Sequence, residues 1–228
     1  MSYKYGPSIV TDGLVFYVDA ANDNSYPGTG TTWSDLIGGN DGTLEPVAGP
    51  TYDSANGGSI AFDGADDYAA VSNPSATTAG TTNSSISVWF KTGSDVSSNQ
   101  TLYSERDGTT HIFSKLRINS TKTDYIFLTP SVAKVLSSSA SLSTNTWYYF
   151  TGTKSGNDYK IYLNGQLDIS STEDVGSFST GGTIATNIGK ETVGLYLNGN
   201  IAQIKIYNRA LSSTEILQNY NALKNRFI

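Results

Sequence analysis

The chain has 228 residues with no cysteine and a formal net charge of −6, and its sequence pI is near 4.6. The lack of cysteine excludes a disulfide framework, thiolate catalysis and a zinc site built on cysteine ligands. The acidic balance provides no basic stripe to neutralise phosphates, so we expect neither a nucleic-acid partner nor an anionic membrane partner. The 23 glycines and 15 tyrosines, beside many Ser, Thr and Asn residues, are typical of short strands joined by polar turns.

The amino terminus is expected to form an arm in front of one folded domain. The first residues, MSYKYGP, lack the apolar core of a signal peptide, and no stretch has the ~18 apolar residues of a membrane span. Residues 1–8 show no strand alternation, so we predict an N-terminal arm there and a single domain over residues 9–228. Tyr3 and Tyr5 are the candidate assembly contacts in this arm, because tyrosine gives a large contact area at little conformational cost.

Alternation of apolar and polar residues with period two recurs along the chain and predicts strands. In the segment 85–91, for example, Ile86, Val88 and Phe90 share one face, which is typical of a half-buried strand. Asn164 and Gly165 separate two such segments and predict a hairpin with a type I′ turn. The other predicted strands cover residues 14–19, 59–62, 68–71, 101–105, 111–118, 125–128, 147–153, 158–163, 166–169, 183–188 and 200–207. The Ser/Thr-rich stretches 75–85 and 137–146 are interpreted as loops.

One helix is predicted, over residues 212 to about 225. Ser212 and Glu215 form a capping box, in which each side chain bonds the other residue's backbone amide. An apolar face follows the box, so the helix should dock on the sheets; this face consists of Ile216, Leu217, Tyr220 and Leu223. With more than ten short strands before it, the prediction is an all-β, two-sheet antiparallel sandwich with one short C-terminal helix.

Several segments, in the same order, resemble the laminin-G-like branch of the concanavalin A-like lectin and glucanase superfamily. They are DGLVFYVDA (12–20), WSDL (33–36), GNDGTL (39–44), SIAFDG (59–64) and the segments 86–91, 147–150, 161–165 and 201–211. The resemblance implies a jelly-roll sandwich over nearly the whole chain. It does not select a function, because this fold carries lectins, hydrolases, adhesion modules and structural parts.

Two segments, IVTDGL (9–14) and YPGTGTTW (26–33), resemble versions of this domain in virion proteins of tailed bacteriophages. The resemblance implies a virion-surface location, extracellular after host lysis, with other virion proteins as partners. The chain would then be a structural part such as a capsid decoration protein, or a glycan-binding adhesin module of a tail fibre or cell-surface protein. Because the predicted domain leaves no room for a separate anchor, we favour decoration, with binding of bacterial surface glycans as an added activity.

Catalysis is not expected. The glucanases of this superfamily carry the motif E-x-D-x-x-E on one strand, which presents alternate carboxylates on one face. Glu105 and Asp107 come nearest to the motif, but Thr110 stands where the second Glu is needed. The single histidine, His111, has no nucleophile defined by a motif and is interpreted as an ordinary strand residue.

Calcium is the metal that the sequence allows, because hard oxygen ligands suit it. The acidic candidates are Asp19, Asp23, Asp63, Asp66 and Asp67. Alternatively these aspartates only cap their own turns. Related domains often have acidic residues at the start of the last strand, where this chain has Ala202 and Gln203, and this difference favours turn capping without a cofactor.

Glycan binding needs an exposed aromatic ring beside planar polar side chains. The candidates near loops are Tyr103, Arg106, Asp107, Tyr196, Asn198 and Trp33, with Tyr26 and Asp35 as further neighbours. Trp33 belongs to the loop pattern of the fold, so we expect it to pack against a sheet rather than to meet a ligand. Tyr103, Arg106 and Tyr196 lie outside the segments that carry the resemblance and are the preferred candidates.

Overall fold

Two antiparallel sheets of eight strands each form the protein, in a computed structural model that describes residues 7–72, 81–107, 111–128, 133–172, 174, 184–191 and 194–228. In chain order the strands are β1 Leu14–Asp19, β2 Thr32–Trp33, β3 Gly42–Glu45, β4 Thr51–Asp53, β5 Ser59–Asp63, β6 Tyr68–Val71, β7 Asn83–Thr92, β8 Gln100–Asp107, β9 His111–Asn119, β10 Lys122–Leu128, β11 Ala133–Ser137, β12 Trp147–Ser155, β13 Asp158–Leu163, β14 Gln166–Thr172, β15 Ile184–Ile188 and β16 Asn198–Tyr207. One α-helix, α1, covers Ser213–Leu223, and 3₁₀ turns cover Ala55–Gly57 and Lys224–Arg226.

The strand order defines a first and a second sheet. The first sheet has the order β14-β13-β12-β7-β16-β5-β4, with β1 also paired to β16. The second sheet has the order β11-β10-β9-β8-β15-β6-β3-β2. Because neighbouring strands are often distant in sequence, several turns and loops meet at each end of the sandwich.

The main core lies between the two sheets. The first sheet contributes Phe16, Ile60 and Phe90, and the second contributes Leu116 and Tyr125, all of them buried in one cluster. Alternation along each strand places these apolar side chains on the inner face. Tyr125 lies so close to Gly152 that a Cβ atom there would stand 2.8 Å from the ring, so this position requires glycine.

A second apolar cluster lies on the outer face of the first sheet, which is the face turned away from the second sheet. There α1 and the residues after it cover Trp89. The ring of Trp89 stacks on Phe227 at 4.4 Å and on Tyr220 at 5.6 Å between centroids. The capping box is confirmed, because Ser212 Oγ accepts from the Glu215 amide at 3.3 Å and Glu215 accepts from the Ser212 amide at 2.9 Å. No helix in the described ranges is long and apolar enough to cross a membrane.

The predicted all-β fold with one short C-terminal helix is confirmed, and so is the Asn164–Gly165 turn, where both residues have positive φ angles of 51° and 79°. Several details differ from the prediction. The short strands β2, β3 and β4 are not among the predicted strands, because each has four residues or fewer and shows little alternation. Residues 83–85, interpreted as loop, begin β7, because tertiary contacts satisfy their polar groups; Ser85 Oγ donates to the Arg209 carbonyl at 2.9 Å. Strand β11 was not predicted, because at the sheet edge only Leu136 of its side chains is buried.

Candidate functional site

A groove of about 400 Å³ opens at one end of the sandwich, where the β7–β8 loop, the β5–β6 turn and the β15–β16 connection meet. We call it the loop-end groove. Its lining consists of Asp63, Gly64, Ser94, Asp95, Ser98, Asn99, Gln100, Gly194, Tyr196 and Asn198. The structure therefore brings Tyr196 and Asn198, two of the predicted glycan contacts, to one site with Asp63, a predicted calcium ligand.

Gln100 and Asn198 hold the groove together. Gln100 Oε1 accepts from the Asn198 backbone amide at 2.9 Å, and Gln100 Nε2 donates to the Asp95 carbonyl at 2.7 Å. The Asn198 side chain donates to the Asp63 carbonyl at 3.0 Å. Gly93 packs against Asn198 with no room for a Cβ atom, so the two loops approach each other closely. These contacts fix the shape of the groove before any ligand binds.

Tyr196 supplies the aromatic surface of the groove, and its ring is half-buried. The ammonium of Lys190 lies 5.7 Å from the centroid of this ring and 3.6 Å from the centroid of Tyr68. Cation–π contacts at these distances stabilise the orientation of an aromatic side chain. The ring is therefore held at the groove while part of it stays accessible.

Two carboxylates give the groove a negative charge. Hydrogen bonds from Ser98 and Ser97 hold the pKa of the Asp95 carboxyl well below its usual range. A hydrogen bond from the Ala65 amide, at 2.8 Å, lowers the pKa of Asp63. Both groups are ionised at neutral pH and are strong acceptors for hydroxyl donors.

The turn next to the groove contains the one acidic cluster found among the described residues. Asp63, Asp66 and Asp67 present carboxylate oxygens within 4.8 Å of one another. Asp67 is buried, which raises its pKa, and its carboxylate accepts from the Asp63 amide at 3.0 Å. The Asp63 carboxylate bonds the Ala65 amide of the same turn. The carboxylates of Asp63 and Asp67 thus bond backbone amides within the turn, as turn capping requires.

Asp19 and Asp23, the other two calcium candidates, do not join this cluster. Asp19 is buried and binds the Arg226 guanidinium at 3.2 Å, and it accepts from Gln203 Nε2 at 2.8 Å. Asp23 is exposed in the loop after β1. Gln203, which stands where related domains often have an acidic residue, therefore acts as a donor to Asp19.

Tyr103 and Trp33 are both completely buried in the main core, so neither can form an exposed platform. For Trp33 this is the packing role expected from the loop pattern. For Tyr103 the expectation of an accessible ring near a loop is corrected, because a β-bulge near the start of β8 turns both Leu102 and Tyr103 into the core.

Arg106 and Asp107 also lie outside the groove. Arg106 binds Glu191 at 2.7 Å, and Lys115 contacts the same carboxylate, on the outer face of the second sheet. All three side chains of this ion cluster are buried. Asp107 is buried at the end of β8, in register with His111 and Ile184. Tyr3 and Tyr5 lie outside the described residues.

The groove residues with polar side chains that the sequence did not single out are Ser94, Asp95, Ser98, Asn99 and Gln100. They belong to the polar loop between the predicted strands 85–91 and 101–105. Their proximity to Tyr196 depends on the contact between Gln100 and Asn198, which are 98 positions apart. A signal was present, since loops between sheet strands often carry binding residues, but the sequence did not indicate which loops meet.

Comparisons with known proteins agree with this architecture. The family model of laminin-G type, described as concanavalin A-like lectin/glucanases superfamily, matches residues 63–217. Comparison with curated protein sequences gave no match.

One similar solved structure is domain 4 of AbnA, an extracellular arabinanase of Geobacillus stearothermophilus, in complex with arabinotriose. It has a TM-score of 0.71 at 16% sequence identity, and the match covers 91% of this chain and 98% of that domain. The binding domain of Paraclostridial Mosquitocidal Protein 1 has a TM-score of 0.71 at 17% identity, covering 92% and 52%. The botulinum neurotoxin serotype D ligand-binding domain with N-acetylneuraminic acid has a TM-score of 0.67 at 21% identity, covering 92% and 50%. This chain thus spans about half of each toxin domain. At these identities the likeness concerns the fold.

Proposed function

Because the chain belongs to the concanavalin A-like lectin/glucanases superfamily, we propose that it is a carbohydrate-binding module without catalytic activity. The observation that carries this proposal is the loop-end groove, in which the accessible part of the Tyr196 ring stands beside planar polar side chains. An aromatic ring stacks on the apolar face of a pyranose, while amides and carboxylates bond its hydroxyl groups.

The polar groups of the groove divide into two kinds. Gln100 and Asn198 bond the loops and fix the site. Asn99 is exposed, and its amide forms no hydrogen bond within the described ranges, so it is available to a ligand. The carboxylates of Asp63 and Asp95 accept hydroxyl donors from the sugar. Two of the similar structures were solved with saccharides, arabinotriose and N-acetylneuraminic acid, which supports this choice of ligand class.

The test is binding of a panel of neutral and acidic oligosaccharides to the purified protein, measured by calorimetry and starting with arabinotriose. We expect Tyr196→Ala to weaken the best binder at least about tenfold, because it removes the stacking surface. Tyr196→Phe keeps the ring and should stay within about threefold, which makes it the matched control. Absence of binding across the panel, or equal binding by Tyr196→Ala, would show that the groove is not a glycan site.

The absence of catalysis is part of the proposal. Glu105, the carboxylate nearest to the glucanase motif, is completely buried and accepts a hydrogen bond from Ser114 at 3.2 Å. It is not among the residues that line the loop-end groove. We expect no release of reducing sugar from β-glucans. Release that is abolished by Glu105→Gln would overturn this part.

The proposal extends to a location on a virion surface, as a capsid decoration protein with added glycan binding; the alternative is an adhesin module of a tail fibre. The support is the resemblance of residues 9–14 and 26–33. The last residue of the predicted arm and the start of the domain are both tied to α1, since the Ser8 carbonyl accepts from Gln218 at 2.7 Å and the Val10 amide donates to Asn219 at 2.8 Å.

Locating the chain in purified particles distinguishes these roles. A position on the capsid shell supports decoration, a position at the tail tip supports adhesion, and absence from particles refutes both. Deleting residues 1–8 should leave a folded domain that incorporates poorly. Full incorporation of the truncated chain would show that Tyr3 and Tyr5 are not attachment contacts.

A further inference from the structure

A cleft of about 580 Å³ lies on the outer face of the first sheet, between the β12–β13 strand pair and the segment that leads from β16 into α1. We call it the α1 cleft. Its floor includes Thr153 and Lys160, which are register partners on neighbouring strands. Its wall consists of Arg209, Ala210, Leu211, Ser212 and Ser213, with Glu215 behind them. None of these residues lines the loop-end groove, so the two sites are separate.

Two donors on the floor of the α1 cleft have no partner. Thr153 is only 4% exposed, yet its hydroxyl forms no hydrogen bond with the part of the chain that the structure describes. Lys160 is half-buried, and its ammonium forms no ion pair within the same ranges. Neither atom is sealed inside the protein, so both are reachable from the cleft and can donate to a ligand there.

The carboxylates of the cleft, in contrast, are already engaged. Glu215 is held by Arg209 in a two-pronged contact of 3.0 and 2.6 Å, and it also accepts from the Ser212 amide. The Arg209 contact lowers the pKa of Glu215 to about 2. Asp158, exposed at the rim, accepts from the Thr172 hydroxyl at 2.6 Å. Among the charged side chains that line the cleft, Lys160 is therefore the one that forms no hydrogen bond or ion pair with the described residues.

The first turn of α1 adds to these donors. Ser213 is the first residue of the helix and lines the cleft. The amides of a first helical turn have no acceptor within the helix, and the helix dipole is positive at this end. Lys160, Thr153 and Ser213 all line this space, and they carry an ammonium, a hydroxyl and an amide of the first helical turn.

We propose that the α1 cleft is a second binding site, which accepts the anionic group of a small ligand such as an acidic sugar. Free donors around one cavity are the arrangement that recognises carboxylate, sulfate or phosphate oxygens. The volume of about 580 Å³ is in the range of small-molecule sites and leaves room for the body of a sugar. This site is independent of glycan binding in the loop-end groove.

The test is titration of the ¹⁵N-labelled protein with glucuronate, inorganic phosphate and glucose, followed by NMR. Glucuronate should shift the amide signals of Thr153, Lys160 and Ser213, whereas glucose, its neutral counterpart, should not. Phosphate that binds as tightly as glucuronate would show that the anion alone is recognised, and tighter binding of glucuronate would show that the sugar body contributes. Both results support the site.

Matched variants locate the binding. Lys160→Gln should weaken glucuronate binding roughly tenfold, because it removes the positive charge that faces the anion, and Thr153→Val should weaken it about threefold, because it removes a hydroxyl donor. Lys160→Arg and Thr153→Ser keep the donors and should stay close to the parent protein. Lys91→Gln removes a half-buried lysine of the same sheet outside the cleft and should have no effect.

Three results would overturn the proposal: no shift with either anion, equal affinity in Lys160→Gln and Lys91→Gln, or equal binding of glucose. Tyr196→Ala, which tests the loop-end groove, should leave glucuronate binding unchanged. Loss of glucuronate binding in that variant would place the anion in the groove and refute the α1 cleft. Failure of one site is thereby distinguished from failure of the other.

Discussion

The outer faces of the two sheets each bury a lysine, but they do so in different ways. On the second sheet, Lys115 is 2% exposed and contacts the Glu191 carboxylate, which also binds Arg106 at 2.7 Å. On the first sheet, Lys205 is completely buried, and its ammonium contacts the neutral side-chain oxygen of Gln203. The carboxylate of Asp19, which acts on Lys205 from nearby, is already paired with Arg226.

The two environments change the pKa of the ammonium to different extents. Burial lowers the pKa of Lys115, and Glu191 opposes this change by stabilising the charged form. Burial lowers the pKa of Lys205 from 10.5 to about 7, with opposition from Asp19 and a further decrease due to Arg226. The carboxylate committed to Lys115 thus counteracts the effect of burial on its pKa, whereas Lys205 has no committed carboxylate and its pKa approaches physiological pH.

The largest effect is expected from Glu191→Gln, which removes the carboxylate of the ion cluster. Lys115 would then be buried without a charged partner, so the free energy of unfolding should fall by about 3–5 kcal/mol. Chemical denaturation measures this change, and the exposed Asp23→Asn serves as a control expected within about 0.5 kcal/mol. A loss below about 1 kcal/mol would show that water solvates Lys115 and that the contrast between the two faces is smaller than described.

Replacing the other lysine should have the opposite sign. Lys205→Met keeps an apolar stem of similar length and removes an ammonium without a committed carboxylate, so it should stabilise the protein by about 1–4 kcal/mol at pH 7. Lys115→Met is the matched variant and should destabilise it by about 1–3 kcal/mol, because a charge-assisted hydrogen bond is lost. Two changes of the same sign would contradict the comparison.

The pH dependence of stability gives a separate test of Lys205. Its folded pKa of about 7 lies below the ordinary value of 10.5, so between these values the unfolded chain binds more protons. The free energy of unfolding should therefore rise with pH in this window, by at most about 1.4 kcal/mol per unit, and be lowest below pH 7. Lys205→Met should remove this rise.

The buried tyrosines limit the upper end of that window. Burial raises the pKa of Tyr149 and of Tyr159 to about 12. The native state then retains protons that the unfolded chain loses, so stability falls above about pH 10. Denaturation curves from pH 6 to 9.5 therefore isolate the lysine. An unchanged slope in Lys205→Met would show that another group titrates.

The local features were predictable from the sequence, whereas the buried ions were not. The capping box and the Asn164–Gly165 turn depend on residues within four positions of each other, and both are confirmed. Lys205 and Lys115 stand at polar positions of alternating strands, a pattern that normally indicates exposure. Their burial depends on partners distant in the chain, such as Arg226 and Glu191. The alternation of apolar and polar residues does not reveal such long-range partners.

Dependence on distant contacts also explains why some predicted glycan contacts lie in the groove and others do not. Tyr196 and Asn198 were predicted because their residue types and loop positions suit sugar binding, and the structure places both in the groove. Tyr103 was selected on the same grounds, but the bulge in β8 shifts its register and turns the ring inward. A bulge changes which face a side chain occupies, and alternation alone does not reveal it.

A smaller effect is expected from loosening α1, which covers part of the outer face of the first sheet. Ser212→Ala removes the capping hydroxyl that accepts from the Glu215 amide, so stability should fall by about 1 kcal/mol. Ser213→Ala is the control, because the Ser213 hydroxyl forms no hydrogen bond in the described ranges. The rise of the free energy of unfolding with pH that is due to Lys205 should persist in both variants. Its loss in Ser212→Ala would show that the helix cap is needed to exclude water from Lys205.

The smallest effect is expected from chelation. It tests a cluster of carboxylates that has no lysine or arginine partner among the described residues, and asks whether a metal ion supplies the missing positive charge. Asp63, Asp66 and Asp67 lie close to one another, but the carboxylates of Asp63 and Asp67 already accept backbone amides of their own turn. We therefore predict that EDTA leaves the melting temperature unchanged. A native-state calcium site would stabilise the fold by mass action, by about 2.7 kcal/mol at a hundredfold excess over Kd. A decrease of several degrees in EDTA, reversed by Ca²⁺ and absent in Asp66→Asn, would show that the turn is a metal site and not only a capped turn.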